Sequence, residues 1–461
     1  MMKDKIRLPD TNLIQKYNQP VPRYTSYPTV PFWKDNLDTE RYKVVWKEQF
    51  NISNSTEGIS IYIHLPFCES LCTYCGCNKK ITTNHKVEIE YIEMLRKEWS
   101  NYLKLMGQKP VLRELHLGGG TPTFFSAENL TELVQMILTE VIIHPDHEFS
   151  IEGHPNNTTF EQMQALFNLG FRRISFGVQD NDPIVQKSIN RLQPFENVIR
   201  VTEQARNIGF ESVNFDLIYG LPKQSILGMK GTIEQVLTLM PDRIAFYSYA
   251  HVPWTSRGQR LFDEVDLPDA KTKLELYLLG KKMLTEAGYF DIGMDHFSLG
   301  NDTLVKAFNS GGLHRNFMGY TTQNTSFLLG LGVSSISDTG NAFAQNHKSV
   351  HEYYESVEKS EFPVFRGFLL SDEDIKFKKY ILDVACKGRV IFDTQDMELL
   401  HTNCFPELKM LEKDGLIILD ECEMSVTDIG RHFIRNICKA FDLYLMSDNA
   451  VCEKPVFSKS I

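Results

Sequence analysis

Four cysteines fall within ten residues, Cys68, Cys72, Cys75 and Cys77, in the run IHLPFCESLCTYCGCNKK. Thiolates are soft ligands, and thiolates this close suit a soft metal centre. Two centres compete. Four thiolates can close a tetrahedral structural zinc. Zinc sites usually draw on two separated segments, however, and one glycine between Cys75 and Cys77 is an awkward span for two ligands of one tetrahedron. Three thiolates on one loop suit a cubane iron–sulfur cluster with its fourth iron open. An open iron calls for a chelating ligand. A second run fits one: Leu115-His116-Leu117 leads into Gly118-Gly119-Gly120-Thr121-Pro122, where a glycine backbone lets a ligand approach closely.

These residues need elements to position them, and the sequence supplies a rhythm. Apolar, β-rich runs occur at 60–65, 111–117, 148–153, 173–178, 212–220 and 243–250. Helical patterns separate them at about 86–106, 126–141, 159–169, 194–208 and 228–239. Strand–helix alternation at this spacing predicts parallel strands joined by crossovers, in a sheet that curves as a barrel or part of one. Cys68 follows the first strand, Gly118–Thr121 the second, and Glu152 ends the third. Gln179 follows the fourth, and Asp216 lies in the fifth. The C-terminal ends of parallel strands are where such barrels place their chemistry.

The remaining chain reads less regularly. Residues 1–56 form an N-terminal arm whose four prolines in PVPRYTSYPTVPFW forbid a long helix, with a short helix expected near 39–50. Residues 57–365 form the catalytic domain, and its section 251–365 reads as ordered loops and short strands. Residues 366–461 form a small, mainly helical domain. Its run MLEKDGLIILDECEMSVTDIGRHFIRNIC has the helix–hairpin–helix shape of a winged helix without a clear basic recognition helix.

Composition narrows the classes. A net charge of −10 argues against broad binding to nucleic acid or anionic membrane, so an anionic ligand needs a local basic pocket. No signal peptide and no run of about 18 apolar residues is apparent, so a cytoplasmic location is expected. The other cysteines, Cys386, Cys404, Cys422, Cys438 and Cys452, are scattered through the C-terminal part, which does not suggest a disulfide framework.

C-x3-C-x2-C after a first strand, with GGGTPT after the second, resembles the radical S-adenosyl-L-methionine (SAM) superfamily. The resemblance narrows through PRYTSYPT, YIHLPFCESLCTYCGCNK, SFGVQDNDPIVQKSINRLQ, NFDLIYGLPKQ, IGMDHF, LHRNFMGYTTQ, GLGVSSIS and IRNICKAFDLYL, which recur in that order in oxygen-independent coproporphyrinogen III oxidases. It spans residues 14–446. It implies a partial (β/α)6 TIM-like barrel of the radical SAM type with a small helical C-terminal domain. It also implies a [4Fe–4S] cluster, one or two molecules of SAM, and oxidative decarboxylation of two substrate propionates to vinyls. A tetrapyrrole substrate, an electron donor such as flavodoxin or ferredoxin, and a monomer are the expected partners and state. Related activities in heme metabolism, such as anaerobic heme degradation or heme carriage, are the alternative.

Carried over residue by residue, the resemblance makes Cys68, Cys72 and Cys75 the cluster ligands. Tyr62, Tyr74, Gly119, Gly120, Thr121, Glu152, Gln179, Arg191, Asp216, Ala250 and Ile336 fall on SAM-binding positions. Cys77 is not among the cluster ligands; it lines the substrate pocket as a catalytic candidate or is a tolerated small residue. Substrate carboxylates need cations, and Arg23 and Arg315 stand out because each is embedded in an aromatic run poor in charge. Lys80, His314 and Arg366 are further candidates. One departure is visible. Where the family text has an acidic residue, proline and arginine after the third strand, this chain reads Glu152-Gly153-His154-Pro155-Asn156-Asn157, and the arginine is missing.

Overall fold

Ile59–Leu65 (β1) is buried at every position, so the strand has no solvent face and must be covered on both sides. The structure, a computed structural model, describes residues 9–254, 256–446 and 457. Val111–Gly119 (β2), Ile142–Gly153 (β3), Arg173–Gln179 (β4), Ser212–Tyr219 (β5) and Arg243–Ser248 (β6) follow β1 in spatial order, each parallel to its neighbour. The helices that return the chain are Val87–Met106 (α1), Ala127–Leu138 (α2), Phe160–Asn168 (α3), Phe195–Ile208 (α4) and Ile226–Leu239 (α5). Side chains of Ser126, Thr159 and Ser225 accept a backbone N–H at the starts of α2, α3 and α5, which sets where each turn into a helix begins. The six strands anticipated from the sequence are thus present, with β3 starting earlier, at Ile142.

The sheet is larger than those six strands. Tyr289–Gly293 (β7) and His296–Leu299 (β8) form a hairpin that adds antiparallel to β6. Leu328–Leu331 (β9) returns to pair parallel with the free side of β1. Ile336–Asp338 (β10), Ala342–Asn346 (β11) and Val364–Leu369 (β12) extend that side antiparallel. The result is a twelve-stranded sheet in the order β12-β11-β10-β9-β1-β2-β3-β4-β5-β6-β8-β7.

Residues 251–365, read as loops and short strands, also contain the helices Ala270–Glu286, Thr303–Ser310 and Val350–Glu358. The first escaped notice because its buried positions, Leu276, Gly280, Lys281 and Leu284, mix apolar, small and charged types and weaken the helical stripe. Similarly, the early helix runs Thr39–Thr56, past the expected end near residue 50. The strand β12 crosses position 365, so the sheet ends at Leu369 and the helical part starts at Asp372.

That C-terminal part runs helix (Asp372–Lys387), strand (Arg389–Ile391), helices (Met397–Asn403 and Phe405–Lys413) and hairpin (Ile417–Leu419 with Glu423–Val426), the element order of a winged helix. Its core is shared. Tyr17, Tyr24 and Tyr27 of the arm pack with Phe377, Tyr380, Leu408, Phe433 and Ile437. Ile14–Tyr27 of the arm and the C-terminal part therefore share one hydrophobic cluster, joined by Ile292, Leu304, Leu313 and Tyr320, whereas Tyr42, Trp46 and Phe50 of the arm belong to the sheet's own core. No described helix is long and apolar enough to cross a membrane.

Candidate active site

β1 ends at Leu65, and the chain then passes through the cysteine loop before re-pairing as Lys80–Ile81 beside Phe67–Cys68. The loop is pinned from several elements. Thr73 N–H donates to the Ile189 carbonyl (3.0 Å), Asn190 Nδ2 to the Leu71 carbonyl (2.8 Å) and Ser256 Oγ to the Cys75 carbonyl (3.3 Å). Gln259 Nε2 bonds both the Tyr74 and Ala250 carbonyls at 3.1 Å, tying the loop to the end of β6. Each sulfur has its own neighbour. Cys68 Sγ lies 3.3 Å from Thr121 Oγ1, and Arg191 Nη1 donates to Cys72 Sγ at 3.6 Å. Cys77 hydrogen-bonds Cys75, which holds the Cys75 thiol down at about 6 against the opposing effect of burial. Among the described residues no three His, Cys, Asp or Glu side chains are grouped to hold a single metal ion. A cubane does not need such convergence, since each thiolate binds a different iron.

The glycine run sits against this loop. A Cβ at Gly118 would lie 2.9 Å from the Tyr62 ring, at Gly119 2.9 Å from the His64 ring, and at Gly120 2.6 Å from the Pro66 carbonyl. Gly119 also has φ +126°, so only glycine passes here without strain. Its N–H donates to Glu152 Oε2 at 3.2 Å.

Inside the strand ends the polar side chains converge. His116 stacks on Tyr62 (5.8 Å between centroids, 16° between planes), bonds Ser150 Oγ at 2.7 Å and reaches Glu152 Oε1 at 3.4 Å. Burial alone raises the Glu152 carboxyl, but His116 and the Gly119 N–H outweigh it and keep the pKa below the usual range. Asp216 differs: burial and the Glu152 charge push it up to about 7, and Ser175 Oγ donates to it at 3.5 Å. Gln179 adopts φ +66°, where β4 loses its regular register with β5. Its side chain and that of Arg191 both pass over Gly177, within 2.5 and 3.1 Å of where a Cβ would sit. Arg191 donates to the Gly177 carbonyl at 2.5 Å, yet its buried Nε has no partner among the described residues. Tyr62 pairs with Gly330 of β9, and Ile336 lies against Gly330 on the far side.

A cavity opens beneath, lined by His116, Glu152, Asp216, Tyr247, His296 and, from an inserted hairpin of His314–Asn316 with Gly319–Thr321, by Asn316 and Gly319–Thr321. Phe317 at its tip meets the Tyr62 ring edge-on at 5.0 Å. His64, His116, Tyr247 and Gln259 were not singled out from the sequence. Only His116, beside the glycine run, carried a local signal.

The expected substrate cations are not among this cavity's lining residues. Arg23 pairs with Asp295 (3.3 Å), bonds the Ser248 carbonyl and covers the Tyr247 ring. Arg315 donates to the Arg23 carbonyl at 3.4 Å, so the two arginines meet, but neither lines the barrel cavity. His314, next to Arg315 in the hairpin, lines a second cavity outside the barrel. Lys80 is exposed. Arg366 bonds Gln345 at the sheet's edge. The departure at 152–157 also turns outward. Asn156 is exposed and bonds the Leu192 carbonyl at 2.9 Å, and Asn157 bonds Glu69 at 2.7 Å.

The donor set fits a cluster with a chelating cofactor: thiols with separate neighbours, a backbone cradle that excludes any Cβ, and an arginine with an unused donor. Comparison with known proteins agrees. Residues 62–236 match the radical SAM superfamily. The oxygen-independent coproporphyrinogen III oxidase of Helicobacter pylori is 39% identical over 95% of this chain and 97% of its own length. That of Escherichia coli is 38% identical over 95% of both. The solved structure of the Escherichia coli enzyme HemN, described as a radical SAM enzyme, superimposes with a TM-score of 0.88 at 36% identity, covering 96% of this chain and all of that one. The chain belongs to the oxygen-independent coproporphyrinogen III oxidases of the radical SAM superfamily.

Proposed function

We propose that this chain catalyses the oxygen-independent oxidative decarboxylation of two propionates of coproporphyrinogen III to vinyls, giving protoporphyrinogen IX in heme and porphyrin biosynthesis. The observation that carries this reading is the meeting of the cysteine loop, the glycine cradle and the Glu152–Asp216 pair at the parallel strand ends of a chain with these relatives. Cys68, Cys72 and Cys75 would hold a [4Fe–4S] cluster. The residues from Tyr62 to Ile336 matched to the family's SAM positions would hold SAM, as one or two molecules. When bound, cluster and SAM supply a carbon-centred radical able to take a hydrogen atom that no side-chain base removes as a proton at pH 7.

The chain's own residues do the positioning. Glu152 stays anionic beside the glycine cradle and suits a cationic ammonium group. Asp216, half-protonated near pH 7, can both donate to and accept from a hydroxyl. Arg191 keeps a donor for a carboxylate while steadying Cys72. The inserted hairpin, with Phe317 against Tyr62, keeps water from the cavity. Arg23 and Arg315 supply positive charge for substrate propionates in a chain of net charge −10. Cys77 stays off the cluster, on the substrate side. Residues 57–365 serve as the catalytic domain, with 1–56 as an N-terminal arm and 366–461 as a C-terminal helical domain. A low-potential carrier such as flavodoxin or ferredoxin would reduce the cluster of this monomeric, cytoplasmic enzyme.

The test is anaerobic turnover of reconstituted protein with SAM, reductant and coproporphyrinogen III, read by product mass. Loss of two CO2 and four hydrogens with release of 5′-deoxyadenosine is expected. Untouched coproporphyrinogen together with opened or methylated heme overturns the assignment in favour of heme degradation.

A further inference from the structure

A second cavity lies between the arm, the outer face of the inserted hairpin and the helix Asp372–Lys387. It shares no lining residue with the barrel cavity. Tyr24, Tyr27 and Leu313 give it apolar walls, and Arg315, Lys378 and Lys387 give it charge. Its carboxylates are already engaged: Asp338 holds Lys378 at 2.8 Å, and Asp383 holds Lys379 at 2.9 Å and Lys387 at 2.7 Å.

Arg315 has no such partner. It is 7% exposed, yet its Nε and Nη1 make no hydrogen bond among the described residues, and Nη2 reaches only the Arg23 carbonyl. Arg23 adds a second positive charge nearby and takes Asp295 for itself. The Tyr320 ring, 4.8 Å away, offers a π face but no charge. Burial keeps the neighbouring Cys386 and Cys438 as neutral thiols, Cys386 at about 12, so neither serves as counter-ion. A buried guanidinium with idle donors is costly unless an anion meets it. The free Nε–H and Nη1–H lie on opposite sides of Nη2 in the guanidinium plane, and each suits a carboxylate oxygen.

We propose that this second cavity is a carboxylate subsite, in which Arg315 receives a propionate of a tetrapyrrole, with Lys378 and Lys387 at the rim and Tyr24 and Tyr27 against the apolar body. The inference rests on the tetrapyrrole reading above. The carboxylate has two sources of identical chemistry: the substrate's unreacted propionates, reaching past the hairpin, or a second tetrapyrrole molecule.

Titration of the reconstituted holoenzyme with coproporphyrin III, the stable oxidised form of the substrate, followed by fluorescence, tests it. Arg315→Met should weaken binding about tenfold or more, and Arg315→Lys should restore part of it. SAM affinity serves as the folding control. Lys387→Gln, at the exposed rim, should weaken binding about threefold and covers the case in which Arg315→Met does not fold. If the substrate itself fills the subsite, one porphyrin binds per chain and KM for coproporphyrinogen rises in Arg315→Met. If a second molecule does, two bind per wild-type chain and one per variant. Unchanged affinity and stoichiometry in folded Arg315→Met, or in Lys387→Gln where the former does not fold, overturns the proposal. Wild-type turnover is read separately: its absence sinks the substrate reading, whereas turnover with unaltered variant binding sinks only the subsite.

Discussion

Glu114 and Glu152 sit on neighbouring strands, β2 and β3, face the same cavity and behave oppositely. Glu114 lies near the base of the barrel, where Ser60 Oγ donates at 2.8 Å and Thr321 Oγ1 at 3.3 Å. Burial and the Glu148 charge push it up to about 7, so it stays largely protonated in weak acid. Glu152 lies at the mouth, where His116 and the Gly119 N–H hold its carboxyl below the usual range. The lesson is that burial alone does not decide the charge of a barrel carboxylate; the donors that reach it do. The base carries a nearly neutral hydrogen-bonding plug between strands and hairpin. The mouth carries a persistent anion beside a backbone cradle.

The largest effect should come from the mouth's thiols. Cys68→Ser, Cys72→Ser or Cys75→Ser should each abolish cluster incorporation and turnover, while Cys77→Ser keeps the iron. Iron and sulfide analysis after anaerobic reconstitution checks this, and tightly held zinc in place of iron in the wild type would remove the chemistry altogether.

At the base the expected signal is stability against pH. The folded-state pKa of Glu114 is raised, so its contribution is fully present below the ordinary carboxylate pKa and is lost as pH rises through about 7. The span is worth up to about 3 kcal/mol between roughly pH 4.5 and 7. Glu114→Gln should flatten that slope in urea melts at several pH values, whereas Glu152→Gln should not. Equal slopes in wild type and Glu114→Gln would erase the distinction between base and mouth.

Removing the mouth's anion should act on the cofactor. Glu152→Ala is expected to weaken SAM binding by tenfold or more, from the loss of a charge-assisted bond of about 1.5–3 kcal/mol, with iron content near normal. Calorimetry with SAM measures it, and an unaltered affinity would mean that Glu152 faces some other group. The smallest effect is expected just beyond Glu152. Asn156→Arg restores the family's residue type at an exposed position bonded to the Leu192 carbonyl, and KM for coproporphyrinogen should stay within about twofold. A larger drop in KM would show that the departure at 152–157 shapes the substrate site.

Local chemistry was legible where it is written in neighbouring residues. The cysteine spacing, the triple glycine and the strand–helix rhythm each depend on a few consecutive positions, so β1–β6 and their loaded ends could be read directly. The return of β9 to the open side of β1 depends on a pairing between residues 60–63 and 328–331, and no local pattern announces it. Arg315 shows the same limit. Its aromatic surroundings marked it as unusual, but which side of the hairpin it serves depends on the arm and the C-terminal helix packed there.

The amino-acid order by itself determined the thiol loop, the glycine cradle and the parallel strands that end beside them, because soft-ligand spacing, absent Cβ atoms and hydrophobic periodicity are properties of short segments. Tertiary structure alone decided which carboxylates carry charge and which arginine has no carboxylate partner among the described residues. Those properties follow from desolvation and from donors supplied by distant parts of the chain: His116 for Glu152, Thr321 for Glu114, and Asp295 for Arg23 rather than Arg315.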